Sequence, residues 1–254
     1  MPKEALAFLA GLLLIWQVLA SAGLLPGYLT SPIIIAREFA ALAVGGDLFL
    51  HSAVSLYRSL AGLALGAVAG IAIGLLAGTS RSVAGFCEPL VSLTYPVPKV
   101  AFLPVLLVWF GISDTSKVAL IALSCFYPCY IAALYGVRAV EPVWIWAAQN
   151  MGARPRRVFF KVILPAAAVH IFGGLRVSLA LAFILMLASE LIGSSNRLGL
   201  GFLVISADAG GRFDMMFAAI LAIAILGYGA DRVLLWGRRR LLAGYAVTED
   251  SAHA

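Results

Sequence analysis

Long apolar runs separated by short polar turns organise this sequence. The first run, 5–24, contains no charged residue, and after Glu4 the next charges are Arg37 and Glu38. Further runs cover about 53–77, 83–112, 117–137, 165–191 and 215–235, with polar turns at Ser113-Asp114-Thr115 and Ser194-Ser195-Asn196 between some of them. Each is close to the ~20 residues that cross a hydrocarbon layer of ~30 Å. The pattern predicts an all-α, polytopic membrane protein with about six transmembrane helices. The stretch 25–51, with Pro26, Pro32, Arg37, Glu38, Gly45, Gly46 and Asp47, reads as an external loop or a short surface helix.

Two of the runs are unusual inside. The second carries Gly62, Gly66, Gly70, Gly74 and Gly78 at strict four-residue spacing. Glycine costs a soluble helix ~1 kcal/mol relative to alanine, but in a membrane it lets another backbone come close. Four residues advance a helix by ~400°, so the stripe turns ~40° per step and its partner should cross at an angle rather than run parallel. The third run is interrupted by Pro89, Pro96, Pro98 and Pro104. Irregular backbone at membrane depth is tolerated where it is buried in protein or lines a wet cavity, which singles out Tyr95-Pro96-Val97-Pro98-Lys99.

Composition strengthens the membrane reading. The chain is 63% hydrophobic and 12% charged, with a mean hydropathy of +1.02, against about 25% charged residues in a soluble domain. The net charge of +6 is concentrated in Arg138, Arg154, Arg156, Arg157 and Lys161 around one loop, and in Arg232, Arg238, Arg239 and Arg240 at the end of the last run. Such clusters mark cytoplasmic loops and not a nucleic-acid surface. They place both termini, the turn at Arg81 and the loop 138–161 in the cytoplasm, and the turns at Asp114 and Asn196 outside, with Arg197 and Arg212 as mild exceptions. Lys3 and Glu4 leave the start without the positive charge of a secretion signal, so 1–52 reads as a first helix plus an external segment, 53–242 as the core transmembrane domain and 243–254 as a disordered tail. Cys87, Cys125 and Cys129 read as small apolar residues, since His51 and His170 are too far away in sequence to suggest a metal site.

The loop between the fourth and fifth runs carries the most information. Glu141-Pro142 suits a helix start and Gly152 suits its stop; the helix between them bears Val143, Trp144, Trp146, Ala147 and Met151. So apolar a surface needs a cover, either the membrane interface or a partner protein. Ala147-Ala148, Gly152 and Val162-Ile163-Leu164-Pro165 resemble the cytoplasmic signature loop of bacterial ABC importer permeases: Glu-Ala-Ala, three residues, Gly, nine residues, Ile-x-Leu-Pro. Trp146 stands at the position of the family glutamate, and Val162 at that of the isoleucine. Pro96-Val97-Pro98-Lys99, the stretch 106–116, Gly173-Gly174-Leu175-Arg176 and Ser189-Glu190-Leu191-Ile192 are similar to the nitrate, sulfonate and taurine branch.

The resemblance implies a permease in a bacterial inner membrane that moves a small anionic solute such as nitrate, sulfonate or taurine. It implies ATPase subunits, a second permease copy (a homodimer) and a periplasmic or lipid-anchored solute-binding protein as partners, along with membrane lipid. It also assigns Trp146, Ala147, Ala148, Gly152, Leu164 and Pro165 to a cytoplasmic coupling helix on the ATPase. The chain is then no enzyme, has no catalytic or metal site, and binds no cofactor directly: ATP belongs to the partner subunits, and no Gly-x4-Gly-Lys-Ser/Thr loop occurs here. A secondary transporter would show repeated halves and an intramembrane metalloprotease His-Glu-x-x-His; neither is present. Lys99, Arg176 and Glu190 are the ionisable residues deepest in the runs, where such residues are candidates for function. Lys99 or Arg176 suits passage of an anion, or Arg176 pairs helices; Glu190 reads as holding helices together.

Overall fold

A computed structural model describes residues 3–193 and 196–242; the tail expected from 243 onward and the serines of the 194–196 turn lie outside them. Eleven α-helices follow in order among the described residues: α1 Lys3–Ser21, α2 Pro32–Gly45, α3 Asp47–Thr79, α4 Arg81–Thr94, α5 Leu103–Phe110, α6 Asp114–Arg138, α7 Pro142–Asn150, α8 Pro155–Val158, α9 Leu164–Ile192, α10 Leu200–Ala209 and α11 Phe213–Leu242. A 3₁₀ turn, Lys99–Phe102, precedes α5, and a π turn, Phe159–Ile163, precedes α9. Four stretches, 47–79, 114–138, 155–192 and 213–242, are long and apolar enough to cross a bilayer, and α4 with the α5 arm makes a fifth if bent by 89°. The sixth expected span corresponds to α1, whose described apolar part, Ala7–Ser21, is shorter.

By its contacts the chain forms two compact units: residues up to 56 with 190–226, and residues 57–189 with 227 onward. In the first, Leu42, Leu48, Leu200, Leu203, Ala218, Ala219 and Ala222 make a core against which Phe39 and Met215 pack. Here the structure is more regular than the sequence suggested. The stretch 25–51 holds α2, opened by Ser31 and Pro32, and Gly46 with φ 84° is all that separates it from α3. The polar residues of 37–47 are absorbed without a loop: Glu38 pairs with Arg212, and Asp47 takes the first turn of α3, where the helix dipole favours a carboxylate.

The second unit is built around the glycine stripe. A Cβ added at Gly74 would lie 2.5 Å from the Tyr130 carbonyl oxygen, and at Gly62 2.5 Å from Ile121 Cβ. The same crowding at Gly66 and Gly70 comes from the Ala122 and Phe126 carbonyls, and at Gly78 from Val137. Residues 62–78 therefore meet 121–137 step for step and in the same direction. The partner does not leave the stripe after one crossing, because α6 has its own row of period four (Ile121, Cys125, Cys129, Ala133, Val137) that rotates in step with the glycines. Further contacts extend this seam: Ala77, Ala84, Tyr130 and Leu134 form one cluster, and Ala133, Val137, Ala167 and Ile171 another.

Candidate functional site

The helix α7 forms where Glu141 and Pro142 predicted a start. Glu141 has extended backbone (φ −61°, ψ 128°) and Pro142 occupies the first turn. Its end is a Schellman arrangement. Gly152 N–H donates to the Gln149 carbonyl at 2.9 Å and Ala153 N–H to the Ala148 carbonyl at 3.0 Å, which needs a left-handed residue between them. Gly152 supplies it with φ 80°. An added Cβ at Gly152 would meet no atom of this chain within 4 Å, so the glycine serves the dihedral angle and not internal packing.

The signature residues fall on two sides. Ala148 is buried and Leu164 and Pro165 are half-buried, whereas Trp146, Ala147 and Gly152 are exposed. With Val143 57%, Trp146 60% and Met151 81% exposed, the outer side of α7 is strongly apolar. The inner side meets α8 and the π turn that leads into α9. A π turn is rare and recurs at functional sites; here it joins the loop to a long membrane helix.

The three ionisable candidates are held in three different ways. Lys99 closes the break between α4 and α5. Its Nζ donates to the carbonyls of Thr94 (2.7 Å), Tyr95 (2.9 Å) and Val97 (2.7 Å), and lies 4.2 Å from the centre of the Tyr127 ring. Thr94 and Tyr95 stand at the end of α4, where the helix no longer supplies donors, and Thr94 also accepts from Val97 N–H at 3.2 Å; all three ammonium protons are used locally. Glu190 is completely buried. Its carboxylate accepts from Ser55 Oγ at 2.8 Å and from Gly201 N–H at 2.8 Å. It sits at the N-terminus of α10, where unpaired N–H groups and the helix dipole favour an anion. Arg176 pairs with Asp231 through Nε at 2.7 Å and Nη2 at 3.2 Å.

Several polar residues of this set were missed from sequence. Arg58 is completely buried and donates from Nε to Asp114 at 2.8 Å; Lys117, one turn along α6, is buried as well. Asp231 and Ser55 complete the sites of Arg176 and Glu190. A signal existed for the charged ones, since Arg58 and Asp231 interrupt apolar runs and Lys117 stands at the edge of one, and ionised residues at such positions are normally partnered.

Residues 70–242 match the family model "Binding-protein-dependent transport system inner membrane component". Among curated proteins, the chain is 37% identical to the taurine transport system permease protein TauC of Escherichia coli, over 92% of this chain and 86% of that one. It is 34% identical to the putative aliphatic sulfonates transport permease protein SsuC of Bacillus subtilis, over 94% and 89%. Among solved structures, the inward-facing MetNI methionine ABC transporter matches with a TM-score of 0.62 at 16% identity, covering 80% of this chain and 97% of that one. A second structure, described as an amino acid ABC transporter with histidines, gives a TM-score of 0.61 at 17% identity over 80% and 98%. The likeness to these two concerns the fold.

Proposed function

This chain belongs to the binding-protein-dependent transport system inner membrane components, and from that premise we propose that it carries a sulfonate-like anion and is driven by ATPase subunits docked on α7. As a permease of an ABC importer it is a multi-pass membrane protein and not an enzyme; ATP is handled by separate ATPase subunits, and a solute-binding protein delivers the cargo. The observation that carries the docking is the outer side of α7. Trp146 and Met151 stand 60% and 81% exposed on and just past a short helix within a basic loop, and an apolar patch of that kind marks a contact surface.

Ala147 is small enough to let a partner approach the helix axis, and the Schellman turn at Gly152 fixes the direction in which the chain leaves. Displacement of α7 then passes through α8 and the π turn to Leu164-Pro165, the start of α9. Trp146 stands where the resemblance places a glutamate, so this contact is apolar here. The relatives TauC and SsuC support a sulfonate or taurine as cargo. The basic loop 138–161 and the Arg238–Arg240 cluster support both termini in the cytoplasm by the positive-inside rule. A second copy of this chain, forming a homodimer in the lipid bilayer, and a periplasmic or lipid-anchored binding protein complete the importer.

The test is capture of a co-expressed cognate ATPase by the detergent-solubilised chain, wild type beside Gly152→Asp. Wild type is expected to retain the ATPase. The variant sets a charge on an apolar contact surface and is therefore expected to lose at least ~10-fold in affinity, about 1.4 kcal/mol, while eluting as the wild-type membrane protein does. A chain that purifies alone and moves taurine down an ion gradient without any ATPase would overturn the reading.

A further inference from the structure

Lys99 and Arg176 were equal candidates for contact with an anion, and their surroundings separate them. Lys99 spends its three protons on carbonyls of its own chain. Arg176 uses two of its five N–H donors on Asp231. The pair is also asymmetric: the Arg176 side chain is 59% exposed and that of Asp231 22%. The cation stands outward and the carboxylate holds it from behind.

Depth decides what this outward side can meet. Arg176 is the thirteenth of the 29 residues of α9, and Asp231 the nineteenth of the 30 of α11. At 1.5 Å per residue Arg176 lies ~18 Å from the start of its helix, and Asp231 ~10 Å before the Arg238–Arg240 cluster; Arg232 beside it, the first of the four basic residues that end the run, lays its guanidinium 4.7 Å from the centre of the Tyr228 ring. Both distances place the pair within a hydrocarbon layer ~30 Å thick. An open guanidinium there does not face lipid; ionised residues at such depth face a protein interior or water. Along α9 the exposed positions Gly173, Arg176, Val177, Ala180 and Ile184 form one stripe, so Arg176 is the charged point on a continuous open face.

We propose that this stripe of α9 lines the translocation path, and that Arg176, oriented by Asp231, binds the sulfonate or carboxylate group of the passing solute. The inference rests on the importer reading above. A guanidinium fixed on one edge by a carboxylate presents its other N–H groups in a plane, the geometry that matches two oxygens of an oxyanion. Asp231 is a positioning residue: it sets the guanidinium plane and keeps the net charge low enough for the anion to leave again.

The experiment uses the whole importer, isolated through a tag on the ATPase, with Gly173→Cys introduced into a Cys87→Ser background. Position 173 is one turn before Arg176 on the same face, and a side chain there meets open space; Cys125 and Cys129 are buried. The probes are two membrane-impermeant methanethiosulfonate reagents, one bearing a sulfonate and one a trimethylammonium group. With Arg176 present, the ratio of sulfonate to trimethylammonium modification rates is expected to exceed that in Arg176→Gln by about ten-fold, and Arg176→Lys should keep most of the preference. Asp231→Asn, which leaves the cation in place, should keep a preference for the sulfonate reagent; this variant decides the matter if Arg176→Gln fails to assemble. A thiol that neither reagent reaches overturns the proposal, because the face is then covered by lipid or by the second copy. A ratio indifferent to Arg176 also overturns it. In both cases the captured ATPase leaves the importer reading standing, whereas absence of ATPase from the preparation removes both.

Discussion

The α3–α6 seam and the end of α7 both depend on glycine, for opposite reasons. In the seam, Gly62, Gly66, Gly70, Gly74 and Gly78 have ordinary helical backbone and no room: every added Cβ would collide with α6. At Gly152 there is room and no ordinary backbone, since φ is 80° and the nearest 4 Å are empty. The seam is complete within one chain, backbone against backbone. The outer side of α7 is left open, with Trp146 and Met151 exposed. A residue type alone therefore does not say whether it serves packing, geometry or a partner. Its surroundings do.

The largest effect expected from breaking this contrast is in the seam. Gly66→Leu would drive a side chain into the Ala122 carbonyl, with Cys125 Cβ 2.9 Å and Phe126 N 3.0 Å from the first added carbon. Overpacking usually costs ~1–3 kcal/mol when neighbouring side chains can shift, and here the obstacle is backbone. The variant should give no monodisperse peak in size-exclusion chromatography in detergent. Gly229→Leu is the control, because an added Cβ on that exposed position of α11 meets nothing within 4 Å; it should elute like wild type. Equal behaviour of the two would mean that the seam is not close-packed.

A smaller loss is expected at the buried carboxylate. Glu190→Ala leaves Ser55 Oγ and the Gly201 N–H without this acceptor at a fully buried position. One unsatisfied buried group costs ~1–3 kcal/mol, so the two together should lower the thermal midpoint by roughly 10 °C, read by intrinsic fluorescence. Glu190→Gln keeps the volume and one acceptor oxygen and should lose less than half of that. If both variants melt with wild type, the carboxylate does not hold α10, and the comparison of a self-sufficient interior with an open α7 loses one of its supports.

How much of this was legible in sequence follows the same division. The membrane helices were readable because hydrophobic run length is a property of the chain alone, and α7 was readable because its start and stop signals are local. The helix α2 was legible only as one of two alternatives, a loop or a short surface helix, because Arg37, Glu38 and the Gly45-Gly46-Asp47 cluster look like a loop until Arg212 is seen beside Glu38. The helix α10 follows the polar sequence Ser194-Ser195-Asn196, and is too short at 10 residues for its pattern to stand out. The candidate charges were found one by one, but not their partners: Asp231 lies 55 positions from Arg176, and Ser55 135 from Glu190. Such pairings are made by tertiary structure, and spacing in one sequence carries no trace of them.

The smallest effect is also the most discriminating, because it separates two accounts of Gly152. A non-glycine residue at φ 80° costs ~1–2 kcal/mol, and asparagine tolerates the left-handed region better than alanine. If the glycine serves the Schellman turn, Gly152→Ala should weaken ATPase binding about five-fold, corresponding to ~1 kcal/mol, and Gly152→Asn should weaken it less. The melting temperature should fall by only a few degrees in either, since no atom of this chain is crowded and the unbound turn can open to relieve the strain, which returns when the partner docks. If the glycine instead keeps clear a surface against which the partner packs, the order reverses, because asparagine is the larger side chain. Binding constants for the two variants, measured side by side with immobilised ATPase, therefore assign Gly152 to the geometry of its own chain or to the shape of the docked partner.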